Sequence, residues 1–74
     1  MKFTLDNELK KKSIERVIHE FESELIVRLS VLNIDLDEFD ADNFVPAENS
    51  TAEKDIFEII NKIKKHTEQL NSLN

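Results

Sequence analysis

The sequence predicts an all-α antiparallel helical hairpin, and three observations lead there. Two long stretches repeat their apolar residues at the helical period, one before residue 33 and one after residue 50. The 35–49 segment between them is acidic, carries the one proline of the chain, and reads as a connector. A Ser-x-x-Glu signal, Ser50 to Glu53, then marks where the second helix starts.

The first helix is expected over about 6–33. Ile14, Ile18, Phe21, Leu25, Leu29 and Leu32 step by three and four residues and so share one face. Leu5 and Leu9 extend that stripe backwards, and Thr4, Asp6 and Asn7 are alternative caps. At ~1.5 Å per residue the helix would be ~40 Å long. Residues 25–36 differ from the rest, because their apolar side chains point in nearly every helical direction. A helix that is apolar all round is covered on more than one side. The second helix covers one side, and a second copy of the chain is the simplest cover for the other, giving a homodimeric four-helix-type bundle. Alternation of Leu32, Ile34 and Leu36 with Asn33 and Asp35 leaves a short strand near 31–36 as the alternative.

The connector holds Asp35, Asp37, Glu38, Asp40, Asp42 and Glu48 and no Lys or Arg. These six acids account for the whole net charge of -6, since the rest of the chain balances ten acids with ten bases. Phe39, Phe44 and Val45 are expected to dock on the helices, through a short helix or an extended turn, and Pro46 argues against a helix through it. The second helix is expected over about 51–70. Ile56, Ile60, Ile63 and Leu70 form its stripe, and Phe57 and Ile59 widen it. Glu53, Asp55 and Glu58 early, with Lys62, Lys64, Lys65 and His66 late, suit the helix dipole. In an antiparallel hairpin Lys10, Lys11, Lys12 and Arg16 then lie near those lysines, so a basic end opposes an acidic one.

Composition excludes several function classes. Without Cys there is no disulfide scaffold and no thiolate metal site. Without Gly there is no phosphate-binding loop, dinucleotide fingerprint or nucleophile elbow. No apolar run reaches the ~18 residues of a membrane span, and the first residues lack a signal-peptide core, so a cytoplasmic single domain is expected. Net negative charge disfavours direct binding of nucleic acid. Ile, Leu, Val and Phe supply 25 of 74 residues, enough for folding. Even so, a core in a chain below ~70–80 residues seldom supplies more than ~3–5 kcal/mol, which favours oligomerisation or a partner.

No catalytic, cofactor-binding or metal-ligating residue is expected. His19 and His66 belong to no metal-binding spacing. An EF-hand register starting at Glu38 places Asp40 and Asp42 well and Asn43 at the turn, but its twelfth position is Asn49 where a bidentate Glu is required. Ser13, Ser23, Ser30, Ser50 and Ser72 have no His–Asp companions at a supporting spacing. The Lys10–Lys12 run is followed by Glu15, Glu20, Glu22 and Glu24, so no uniformly basic face forms for a membrane surface.

The stretch Leu32–Asp42, followed by Asn49-Ser50 and a helix, resembles the first loop of acyl carrier proteins. The resemblance implies that Ser50 would carry phosphopantetheine. The usual Asp-Ser-Leu is here Asn49-Ser50-Thr51, and Glu24-Leu25-Ile26 fits the same family helix in a different register.

The expected function is protein–protein interaction: a small adaptor, chaperone-like subunit or regulator. It would bury Ile18, Phe21, Leu25, Leu29 and Leu32 with Ile56, Ile60 and Ile63 against itself or another protein. The acidic connector, through Asp35, Asp37, Glu38, Asp40 and Asp42, would steer a partner with a basic surface. The alternative is an acidic inhibitor, of antitoxin, immunity or anti-defence type, that blocks a basic or nucleic-acid-binding surface.

Overall fold

Asp6 starts the first helix. A computed structural model describes residues 5–73, and in it Asp6 is extended (φ -70, ψ 131) with its carboxylate accepting the Glu8 backbone N–H at 2.7 Å. An acceptor there satisfies one of the orphan amides of a helix start. Helix α1 runs Asn7–Val31 and α2 runs Thr51–Asn71, and the chain is an antiparallel hairpin without strands among the described residues.

The end of α1 decides the 31–36 question. Val31 is the last helical residue, and Asn33 sits in the left-handed region at φ 58. The Asn33 N–H donates to the Ser30 carbonyl at 3.1 Å and the Ile34 N–H to the Leu29 carbonyl at 3.0 Å. This pair of bonds is the Schellman stop, and Asn is the residue other than Gly that adopts its left-handed position most readily. The carbonyls that a strand would have needed are therefore capped locally. The same turn lays Ile34 against Leu29, the apolar contact that usually accompanies this stop.

Helix α2 begins as expected, with one change. Ser50 Oγ accepts the Glu53 N–H at 3.1 Å. The Glu53 carboxylate, however, accepts from the Ala47 N–H at 3.2 Å, while the Ser50 N–H donates to the Ala47 carbonyl at 3.1 Å. The reciprocal half of the capping box is thus moved back three residues, and it ties the connector to α2. The helix extends to Asn71, so its last turn contains no basic residue, and the late lysines lie too far back to complement the dipole end.

Leu29, Ile56 and Ile60 form the buried cluster, at 3%, 0% and 3% exposure, with Ile59 also buried. Leu25, Ile34, Phe39, Ala41 and Phe44 pack around that cluster. The connector is a run of turns folded back over the helices, with no helix of its own among the described residues. Asp35 accepts the Asp37 N–H at 2.9 Å, and Asp40 accepts the Asp42 N–H at 3.1 Å. Such side-chain turns replace the backbone bonds that an irregular segment lacks. Phe39 and Phe44 meet at 5.4 Å between ring centres. Val45, expected to dock with them, is instead left in solvent, at the residue before Pro46.

Within the connector, Asp42 reaches back to α2, 3.6 Å from Lys64 Nζ. The molecule measures 49 × 23 × 19 Å, and its radius of gyration is 15.1 Å, against about 11 Å for a compact domain of this length.

Candidate interaction surfaces

The hairpin has two unlike flanks. One is closed by the connector, whose aromatic residues lie over Leu29, Ile56 and Ile60. The other is open. There Val27, Val31 and Leu32 of α1 and its cap face Ala52, Asp55 and Ile56 of α2 across a groove of about 180 Å³, with Arg28 between them and no connector residue in its lining. Asp55 marks the groove and Lys64 marks the connector side. They are nine residues apart, which places them roughly 180° apart around α2.

Of the residues expected to form an interface, Leu29, Ile56 and Ile60 are turned on one another and lie in the core. Ile18, Phe21, Leu25 and Ile63 are half-buried, and Leu32 is exposed at the end of α1. The single stripe therefore serves mainly to close the hairpin. Open apolar surface lies elsewhere, on Val27 (60% exposed) and Val31 (73%), one turn apart, with Ile26 and Phe57 exposed too. Following one stripe missed these residues. The signal that finds them is the all-round apolar pattern of residues 25–36, which leaves surplus apolar side chains after one face is used.

The charges beside the groove are largely paired within α1. Arg28 meets Glu24 at 2.8 Å and Arg16 meets Glu20 at 3.8 Å. Exposed pairs of this kind contribute little stability, but they leave that face near neutral. Arg28 Nε is buried without an acceptor, and Asp55 makes no ion pair or hydrogen bond among the described residues.

On the opposite flank Asp35, Asp37, Glu38, Asp40 and Asp42 are all exposed. The Asn43 side-chain amide donates to Asp40 at 2.6 Å. That bond, above all, holds the Asp40 carboxyl below its ordinary 3.8; desolvation opposes it, and the Asp42 and Asn43 backbone amides and the Lys64 charge add to the lowering. Among the described residues no three His, Asp or Glu side chains converge as a cation site. His19 is exposed, the His66 ring stacks on Phe21 at 5.7 Å, and the Lys62 ammonium lies over that Phe21 ring. Ser50 Oγ is engaged as the α2 cap. No described helix is long and apolar enough to cross a membrane.

Compared with models of protein families, with curated proteins and with solved structures, the chain matches none.

Proposed function

We propose that the chain is a small, non-enzymatic, cytoplasmic protein–protein interaction module that works by burying apolar surface its own hairpin leaves open. One observation carries this reading. A compact monomer of 8.7 kDa exposes about 4,700 Å², whereas this chain exposes 6003 Å². The surplus, on the order of 1,000 Å², is comparable to the ~800 Å² that one partner contributes to a stable interface. Part of it lies on Val27 and Val31, one turn apart in the lining of the groove, and neighbouring exposed apolar residues of this kind mark interaction sites. Proteins, its own copies included, are the partners; nucleic acid and membranes are not direct targets.

The exposed acids of the connector support a second reading, an inhibitor that occupies a basic surface of another protein. Salt separates the two readings, since screening weakens contacts between exposed charges and leaves apolar burial nearly untouched.

The test is the native mass of the purified chain with whatever accompanies it, read by refractive index because the chain has neither Trp nor Tyr. An assembly heavier than 8.7 kDa is expected. A lone chain that unfolds cooperatively, with a midpoint independent of concentration and of added cell extract, overturns the module reading.

A further inference from the structure

We propose that the occupant of the open groove is a second copy of this chain, docked about a two-fold axis so that the Val27–Val31 faces of two α1 helices meet. This inference rests on the interaction-module reading and names its partner and its surface.

Two features point to a second copy. The first is area: the surplus exposure of one chain is about one side of a standard interface, and a two-fold contact uses the same patch on both partners. The second is charge. Two copies at -6 each repel, yet the acids responsible lie on the connector flank, roughly opposite the groove around α2. Docking through the groove keeps both connectors on the outside and brings together faces whose charges are already paired, Glu24 with Arg28 and Glu20 with Arg16. A basic partner would be drawn to the other flank instead. The product is four helices around an enlarged core.

Sedimentation of the full chain, from low micromolar to millimolar concentration, tests this directly. The expected species is twice 8.7 kDa. Val31→Glu, at a site already exposed, should keep the helical circular dichroism of the isolated chain and raise the dimer dissociation constant by on the order of 100-fold, because a charge would be buried without a partner. Val31→Ala serves as a milder companion, with a rise of about tenfold from the methyl groups lost on both copies. Raising salt should leave the dimer unchanged or tighter. A dimer indifferent to both Val31 variants, or one that salt dissociates, overturns the groove as the docking face while leaving the module reading intact. A chain that joins a different protein but never itself overturns the second copy alone. A chain that joins nothing overturns both.

Discussion

The two flanks of this hairpin are built from the same kinds of residue and end in opposite states. On one, Phe39 and Phe44 come back from the connector and seal Leu29, Ile56 and Ile60. On the other, Val27 and Val31 have no such cover. The difference follows from where the chain turns. Asn33, left-handed at the end of α1, sends the backbone through Ile34 against Leu29 and so commits the whole connector to one side. A connector can cover only one flank of a two-helix unit, and a two-helix unit always has two. Burial in this chain therefore shows which flank is left without cover.

The largest expected effect comes from breaking the closed side. Ile56 is fully buried, and Ile56→Ala should cost about 2–4 kcal/mol. Because a core this small supplies only ~3–5 kcal/mol in total, that single change should leave the chain largely unfolded when dilute. Val31→Ala, measured at the same low concentration, should shift stability by less than ~0.5 kcal/mol, since surface changes away from special features seldom do more. Urea unfolding followed by circular dichroism checks the pair. Equal losses at the two positions would erase the distinction between flanks.

A smaller change sharpens the comparison. Phe44 is half-buried against Phe39 and the core, so Phe44→Ala should cost about 1–2 kcal/mol while both helices persist. Hydrogen exchange should then speed up across residues 34–47 and at the turns of α1 and α2 beneath them. If the urea midpoint and the exchange pattern both stay put, the connector is not what closes that flank.

The sequence showed the two helices because their signals are local. The 3.6-residue spacing from Ile14 to Leu29, and the Ser50–Glu53 start, are properties of neighbouring residues that tertiary contacts reinforce. The Schellman stop was not legible, because Asn33 looks the same in a strand, a helix or a left-handed turn until the carbonyls around it are placed. Nor was the division of the apolar residues between core and surface. Leu29 and Val31 are two positions apart in one apolar run, and only the direction in which the connector folds tells which of them is covered. The Lys64–Asp42 contact was likewise not legible, because a charge count does not say which acid folds back onto α2.

The smallest effect concerns Asp40 on the closed flank. Asp40 is held below its ordinary 3.8 in the folded chain, first by the Asn43 side-chain amide. A carboxyl with a depressed folded value favours the fold at every pH above its ordinary value, and that contribution fades as pH falls through the depressed one. Asp40→Asn removes that titration. The wild-type chain should therefore be slightly the more stable near neutral pH and lose that advantage in acid, the two urea midpoints converging. Asn43→Ala should move the Asp40 carboxyl, followed by its carbon resonance, back up toward 3.8. A carboxyl that does not move would mean that the connector turn is held by its packing on Leu29 and Ile60 alone, and the closed flank would then be apolar in origin like the open one.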